Sequence, residues 1–144
     1  MSEFIRRYTG LILVLFVVLL GLTGNLFSGN LPVIAGQVLG IALVVSARIA
    51  FARQPFNISS TPAAGPLVRR GPYRIIRHPM YAGAMLFLLA TILGHPSALT
   101  AAIGVLVLIM LPWRVHLEEE LLRAAYPDYA DYVSTTYRMI PFIY

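Results

Sequence analysis

Residues 8–27, YTGLILVLFVVLLGLTGNLF, carry no charged side chain. An α-helix rises 1.5 Å per residue, so about 20 apolar residues cross the roughly 30 Å of hydrocarbon in a bilayer. A signal peptide is the alternative interpretation, but no clear small-residue cleavage site follows, and further apolar stretches come behind it. The stretch therefore predicts a first membrane-spanning helix.

Three more apolar stretches follow it, at residues 31–47, 79–96 and 98–113. The second ends before Arg48 and Arg53, and the third begins at a proline, which is tolerated in a first helical turn. The fourth continues into RVHLEEELLRAA, whose leucines at 117 and 121 give one apolar face. These patterns predict an all-α integral membrane protein with about four transmembrane helices and a C-terminal amphipathic cytoplasmic helix.

The same patterns divide the chain into the parts of a single domain, residues 1–144. Residues 1–53 hold the first two spans, and residues 54–78, rich in Pro, Ser, Thr, Ala and Gly at their start, form an interfacial loop. Residues 79–115 form a helical hairpin, and residues 116–144 form a cytoplasmic C-terminal segment. Residues 54–78 are too polar to span the membrane.

The composition excludes an ordinary soluble domain. Of the 144 residues, 58% are hydrophobic and 12% are charged, and the mean hydropathy is +0.77. The net charge is +5 and all 11 basic residues are arginine. Because these arginines lie beside apolar spans, they indicate membrane topology rather than nucleic-acid binding. The absence of cysteine excludes disulfides, thiolate metal sites and cysteine catalysis.

The charges are confined to alternate connections between the predicted spans. They precede the first span, lie in residues 48–77, and follow the fourth span, whereas loops 24–30 and 94–97 carry none. A charge at the bilayer centre costs roughly 2.5 to 3.5 kcal/mol, so such segregation is typical of a multi-pass protein. Both termini are expected to be cytoplasmic, and a bacterial inner membrane is the expected location.

The densest group of polar and aromatic residues is GPYRIIRHPMYAG, residues 71–83, at the start of the third span. Pro79 suits the first helical turn, which puts His78 at the N-cap and Tyr81 one turn later. The free N–H groups and dipole of this helix end, beside Arg77, would favour an anion such as a carboxylate. Gly83 would allow a helix or a flat ligand to approach the backbone.

These residues have a structural alternative. Arg74 and Arg77 could determine topology and reach lipid phosphates, while Tyr73 and Tyr81 could belong to an interfacial aromatic belt. Their concentration within thirteen positions favours a binding site.

A second group lies where the fourth span ends. Helical spacing pairs Arg114 with Glu118, His116 with Glu120, and Glu119 with Arg123. Exposed pairs of this kind contribute only a few tenths of a kcal/mol, so Glu119 and Glu120 could simply form a solvated face. The pair formed by Arg114 and Glu118 is nearest the membrane boundary. Desolvation there strengthens the interaction energy of an ion pair and shifts the pKa values of its groups.

No metal site is predicted. His78, His95 and His116 do not have metal-ligand spacing, and His95 falls on the opposite side of the membrane. The chain also lacks a GxGxxG sequence, a P-loop and a nucleophile elbow.

The two groups together resemble a known family. GPYRIIRHPMYAG is followed about 40 residues later by Glu118 and Glu119 with Leu122, and then by Tyr126, Tyr129, Tyr132 and Pro141. This pattern resembles the isoprenylcysteine carboxyl methyltransferase family and extends to related phospholipid N-methyltransferases. The resemblance covers residues 65–144, and the first two spans carry no recognisable signature. It implies S-adenosylmethionine bound between the membrane helices and the C-terminal cytoplasmic segment.

The resemblance also implies roles for individual residues. Arg114 and Glu118 are the expected catalytic residues, whereas a third acid, Glu120, leaves the register of the acidic pair open. The expected cofactor contacts are Tyr73, Arg77, His78, Pro79, Tyr81, Gly83 and Glu119.

The expected activity is methyl transfer from S-adenosylmethionine to a lipid or prenylated small-molecule or peptide acceptor that enters from the bilayer. Carboxylate O-methylation of the isoprenylcysteine type is favoured, with Arg114 orienting the acceptor. Phospholipid or other N- or S-methylation is the alternative, and there Glu118 would act as a base. No nucleic acid and no obligate protein partner are expected.

Two other classes of protein remain as alternatives. A small multidrug-type transporter also has four helices, but it needs an ionisable group inside a span, and residues 8–27 and 31–47 contain none. A catalytically inactive scaffold would retain the fold without binding the cofactor.

Overall fold

The structure is a computed structural model that describes residues 2–51 and 66–143, with side chains from residue 8 onward. Its helices are α1 (Ser2–Leu22), α2 (Leu31–Phe51), α3 (Pro79–Gly94), α4 (Ala98–Ala125) and α5 (Tyr129–Ser134), with a 3-10 turn at Gly71–Arg74. The described ranges contain no strand, only a bridge between Ile76 and Tyr137. The all-helical prediction is confirmed for these residues. Part of the predicted interfacial loop, residues 54–65, lies outside them.

The first helix ends at Leu22, earlier than the apolar pattern predicts. Gly24 takes the left-handed conformation with φ +71, and its N–H donates to the carbonyl of Gly21 at 3.1 Å. The N–H of Asn25 donates to the carbonyl of Leu20 at 2.8 Å. This pair of hydrogen bonds caps a helix C-terminus, so the last residues of the predicted first span form a turn instead.

Helices α2 and α3 pack with their backbones in close contact at two glycines. A Cβ added at Gly83 would lie 2.6 Å from the carbonyl oxygen of Gly40 and 2.8 Å from Val44 Cγ2. A Cβ added at Gly40 would lie 2.7 Å from the carbonyl oxygen of Gly83. Only glycine permits this approach, which sets the position of α3 against α2.

The apolar core lies between α1, α3 and α4. Leu20, Leu88, Ile103, Val107 and Leu111 are buried there in one cluster. The outer helix faces are apolar as well: Leu15 and Leu39 are each 62% exposed, and Ile109 is 58% exposed. Helices that are apolar both inside and outside are typical of a protein surrounded by lipid.

Two of the helices are long and apolar enough to cross a membrane, Leu31–Phe51 and Ala98–Ala125. The apolar part of α1, Tyr8–Leu22, and the third helix, Pro79–Gly94, are shorter. These lengths support association with a membrane, and the count of four spans stays a prediction.

Polar side chains connect the helices near the two uncharged loops, residues 24–30 and 94–97. Gln37 Nε2 donates to the carbonyl of Leu26 at 2.7 Å and to Thr91 Oγ1 at 3.0 Å. His95 Nε2 lies 2.9 Å from the carbonyl oxygen of Phe27, so this histidine joins the two uncharged loops. Each buried amide or hydroxyl of this group has a partner, as burial requires.

After α5 the chain runs back beside the residues that precede α3. The N–H of Tyr137 donates to the carbonyl of Ile75 at 2.9 Å, and the N–H of Arg77 donates to the carbonyl of Tyr137 at 2.8 Å. The N–H of His78 donates to the carbonyl of Arg138 at 2.9 Å. We refer to residues 135–143 as the return segment, because these bonds bring it to the start of α3.

Candidate active site

The start of α3 is defined by a proline and a histidine. Pro79 occupies the first turn and is fully buried, and His78 is the N-cap residue. The imidazole of His78 is buried and stacks on the ring of Tyr81, with ring centroids 5.8 Å apart and planes inclined by 21°. Because Pro79 has a fixed φ and no N–H, it suits this first position.

Tyr81 lies between the two residues expected to be catalytic. Arg114 Nε donates to Tyr81 Oη at 2.7 Å, and Tyr81 Oη donates to Glu118 Oε2 at 2.7 Å. The guanidinium carbon of Arg114 is also 5.4 Å from the centroid of the tyrosine ring, within cation–π range. Arg114 is buried and Glu118 is half-buried. Arg114 and Glu118, predicted as a pair on one helix, are therefore joined through a residue of another helix.

Glu119 binds arginines from three parts of the chain. Its Oε1 accepts from Arg77 Nε at 2.7 Å, and its Oε2 accepts from Arg138 Nε at 3.0 Å. Arg123, one turn along α4, places Nη2 3.9 Å from the same Oε2. The carboxylate is only 2% exposed, so these charge-assisted contacts compensate for its burial.

Arg77 continues this network into the return segment. Its Nη1 donates to the carbonyl of Thr136 and, at 3.3 Å, to the carbonyl of Val133. Arg77 is buried, and its guanidinium joins the carboxylate of Glu119 to residues around the end of α5. Arg77 and Glu119 were both expected to contact the cofactor, and in the structure they bind each other.

Glu119 remains ionised far below neutral pH. It lies past the apolar part of α4, which ends near Trp113. Burial by itself raises the pKa of the Glu119 carboxyl. The nearby His78 imidazole and Arg77 guanidinium lower this pKa by a larger amount, so that it falls from 4.5 to about 2. The carboxylate beside the start of α3 is therefore negatively charged at neutral pH.

Two buried polar atoms among the described residues lack a hydrogen-bond partner: His78 Nε2 and Tyr129 Oη. The His78 nitrogen is 3.6 Å from Glu119 Oε1, which is longer than a hydrogen bond. An unpaired buried polar group costs about 1–3 kcal/mol. Both atoms are therefore suited to receive a hydrogen bond from, or donate one to, a polar ligand.

Tyr73 makes its ring and hydrogen-bond contacts with residues outside the group around Tyr81, but the Glu118 carboxylate is near enough to help raise the pKa of its phenol. It is buried, and its ring is 5.6 Å from the ring of Phe51 at the end of α2. Its carbonyl accepts a hydrogen bond from Tyr132 Oη at 2.7 Å. Burial raises the pKa of the Tyr73 phenol, and it raises the pKa of Tyr132 to about 12, so both side chains stay neutral. The expected contact of Tyr73 with a cofactor stays a prediction.

The neighbourhood of Gly83 is filled by protein. The space that its side chain would occupy contains the backbone of Gly40 and the side chain of Val44. The sequence predicted that either a helix or a flat ligand would approach the backbone at Gly83. In the structure, helix α2 makes this approach. Its expected contact with a cofactor stays a prediction.

The three consecutive acids of α4 have different surroundings. Glu118 accepts from Tyr81, and Glu119 binds the arginines. Glu120 pairs with His116, with His116 Nε2 3.4 Å from Glu120 Oε1, and the side chains of His116 and Glu120 are 59% and 61% exposed. Glu120 is therefore a surface residue. Within residues 8–51 and 66–143, no group of three His, Asp or Glu side chains is arranged to hold a metal ion.

Sequence reasoning missed the residues that the return segment contributes. Arg138 binds Glu119, and Thr136 accepts from Arg77. Tyr129, which lies in α5 and which the family pattern includes without a role, carries one of the two unpaired buried atoms. The available signal is that residues 132–144 contain no Asp or Glu, so the acid that pairs with Arg138 has to come from a distant part of the chain. That signal does not say which distant acid it binds.

Comparison with known proteins gives one family and one curated relative. The family model described as phospholipid methyltransferase matches residues 6–129, which include most of α1 and all of α2. The cobalt-zinc-cadmium resistance protein CzcN of Cupriavidus metallidurans is 32% identical over 76 residues. That alignment covers 52% of this chain and 35% of CzcN, so the matched part is about a third of the relative's length. No solved structure gives a significant match.

Proposed function

The chain belongs to the phospholipid methyltransferase family, and from this membership we propose that it transfers a methyl group from S-adenosylmethionine to a lipid or lipid-anchored acceptor. The observation that carries the proposal is a pair of hydrogen bonds at Tyr81. Its hydroxyl accepts from Arg114 at 2.7 Å and donates to Glu118 at 2.7 Å. This contact brings a cation, an aromatic ring and a carboxylate together at the start of α3.

The residues present fit S-adenosylmethionine, which combines a sulfonium cation, an adenine and an amino-acid carboxylate. Glu118 and the ring of Tyr81 would hold the cation, and His78, with its unpaired buried Nε2, would bind a polar group of the cofactor. When bound, the cofactor supplies a methyl carbon that bonds to the acceptor while its sulfur keeps the electrons of the broken S–C bond.

The favoured acceptor is a carboxylate of the isoprenylcysteine type. Arg114 is the buried cation nearest Glu118 and Tyr81, and its guanidinium would orient an anionic acceptor group. A dry setting favours attack of a carboxylate on a cationic methyl donor, because the charges cancel in the transition state. The apolar helix faces beside the site would let a prenyl chain enter from the bilayer.

A phospholipid amine is the second candidate, and the description of the matched family favours it. Glu118, half-buried beside Tyr81, would then accept a proton from the ammonium group, which leaves the amine as a neutral nucleophile. We assign either reaction to the cytoplasmic face of a multi-pass protein in a bacterial inner membrane, with both termini in the cytoplasm, since the charged connections lie on one side.

The test uses the full chain in vesicles with S-adenosylmethionine labelled at its methyl group. One arm offers N-acetyl-S-farnesylcysteine and the other offers phosphatidylethanolamine. A methyl ester releases volatile label in alkali, whereas an N-methyl group does not, so the product identifies the acceptor class. Glu118→Gln should abolish most transfer and the matched surface variant Glu120→Gln should retain it. Failure of the wild type to bind the labelled cofactor would contradict the proposal and favour an inactive scaffold.

A further inference from the structure

The return segment carries an exposed apolar surface that the candidate site does not use. We call it the interfacial patch, and it consists of Ile75, Tyr137, Ile140, Phe142 and Ile143. Ile75 is 56% exposed, Ile143 80% and Phe142 86%. Apolar side chains grouped at a surface in this way mark a contact with another phase or another molecule.

The residues of the patch come from two parts of the chain that run side by side. The N–H of Tyr137 donates to the carbonyl of Ile75 at 2.9 Å, next to the bridge between Ile76 and Tyr137. The rings of Tyr137 and Phe142 are 5.1 Å apart, and the N–H of Ile143 donates to the carbonyl of Ile140 at 3.2 Å. These contacts hold the exposed apolar residues of the two segments near each other.

The charged residues next to the patch in sequence are arginines. Arg74 is exposed and precedes Ile75, and Arg138, which follows Tyr137, is 29% exposed and also binds Glu119. Residues 65–80 and 132–143 contain no Asp or Glu. A basic rim around aromatic and aliphatic side chains fits an anionic lipid surface, where the apolar groups reach the acyl boundary and the arginines meet phosphates.

The patch also lies where a bilayer surface is expected. Ile75 is four residues before Pro79, at which the apolar helix α3 begins. The patch is thus continuous in sequence with a helix whose composition suits the membrane. The cytoplasmic side, where the arginines of the chain collect, is the side on which anionic lipids attract them.

We propose that the interfacial patch inserts into the boundary between headgroups and acyl chains of an anionic bilayer leaflet. The same return segment binds Arg77 through Thr136 and Glu119 through Arg138. Insertion of the patch therefore holds the return segment against the candidate site, so that contact with lipid stabilises the site's own hydrogen bonds.

The experiment places a single tryptophan in the patch. In a Trp113→Phe background, Phe142→Trp and, separately, Ile143→Trp are reconstituted as full chains into vesicles of phosphatidylcholine and phosphatidylglycerol. Lipids brominated near the headgroup should quench the emission about twofold, because the indole lies at that depth. The matched control is Ala124→Trp, an exposed position about 15 Å beyond Arg114 along α4, and it should be quenched by aqueous acrylamide instead.

The lipid charge gives a second readout. Replacing phosphatidylglycerol with phosphatidylcholine, or Arg74 with Gln, should increase acrylamide quenching at position 142, since the attraction of the basic rim is lost. Two results would overturn the proposal. One is acrylamide quenching at positions 142 and 143 that equals the quenching at position 124. The other is protection from acrylamide that depends on the density of protein in the vesicle rather than on lipid composition, which would indicate that a second copy of the chain covers the patch. No cofactor or acceptor is added, so neither result bears on methyl transfer.

Discussion

Tyr81 Oη donates a hydrogen bond of 2.7 Å to Glu118 Oε2, and this bond joins the beginning of α3 to the charged end of α4. The same oxygen accepts from Arg114 Nε, so a buried cation and a carboxylate share one phenol. Tyr81 therefore organises the two groups to which the chemistry is assigned. It is the first residue to test.

Tyr81→Phe should impair turnover without unfolding the protein. The substitution keeps the ring that stacks on His78 but removes the oxygen between Arg114 and Glu118. The loss removes one acceptor from Arg114 and one donor from Glu118, and losing a hydrogen-bond partner at a buried polar group costs about 1–3 kcal/mol. We expect methyl transfer to fall at least about tenfold and the melting temperature in detergent to fall by several degrees. Unchanged turnover in a folded Tyr81→Phe protein would remove Tyr81 from the site.

Glu118→Gln should weaken binding of the sulfonium cofactor. The variant keeps the shape and an acceptor oxygen but removes the negative charge, and a tenfold loss of affinity corresponds to about 1.4 kcal/mol. Isothermal titration with S-adenosylmethionine measures the loss. Titration with the neutral thioether product, S-adenosylhomocysteine, should show a smaller loss. Equal losses for both ligands would argue against contact between Glu118 and the sulfonium.

Arg138→Ala should loosen the return segment. Arg138 binds Glu119 at 3.0 Å, whereas Arg123 approaches the same oxygen only to 3.9 Å and is 57% exposed. Hydrogen–deuterium exchange of peptides from residues 135–143 should therefore rise severalfold in Arg138→Ala and little in the matched Arg123→Ala. The opposite order of the two variants would mean that Arg123 is the main partner of Glu119.

Acid should destabilise the fold through Glu119. Its pKa is lowered from 4.5 to about 2 on folding, so the native state binds fewer protons than the unfolded state between these values. The resulting stability, of the order of 3 kcal/mol, is present above about pH 4.5 and lost as pH falls towards 2. Thermal unfolding in detergent between pH 2 and 6 measures it. Glu119→Gln should flatten this pH dependence, and Glu120→Gln should leave it as in the wild type.

Gly83→Ala should destabilise the packing of α2 on α3. The new Cβ would lie 2.6 Å from the carbonyl oxygen of Gly40, and a backbone atom cannot move away cheaply. Overpacking of this kind costs about 1–3 kcal/mol, which a melting experiment in detergent detects. Gly29→Ala is the matched control, because nothing lies within 4 Å of the added Cβ. Equal melting temperatures for both variants would contradict the close helix contact.

Local sequence determined much of the secondary structure. Uninterrupted apolar stretches predicted the helices, and Pro79 predicted the start of α3 with His78 as its N-cap. These features depend on groups within a turn or two of each other, and helical geometry repeats every 3.6 residues. The end of α1 was misplaced because a left-handed Gly24 stops the helix inside an otherwise apolar stretch.

Helical spacing predicted only some of the residues that meet at the site. Helical spacing paired Arg114 with Glu118, but the partner between them, Tyr81, is 37 positions away from Glu118. It also left open which of three adjacent acids faces inward. Burial of Glu119 among arginines, one of them 42 positions away, distinguishes it from the exposed Glu120.

The sequence by itself determined that the chain is apolar and helical, with its charges outside the apolar stretches, because the transfer of charged groups into hydrocarbon is costly. The tertiary structure alone decided which charges meet. Contacts such as Glu119 with Arg138 depend on the path of the return segment and on the crossing of α2 and α3 at Gly40. Those arise from packing between distant residues, which no local periodicity encodes.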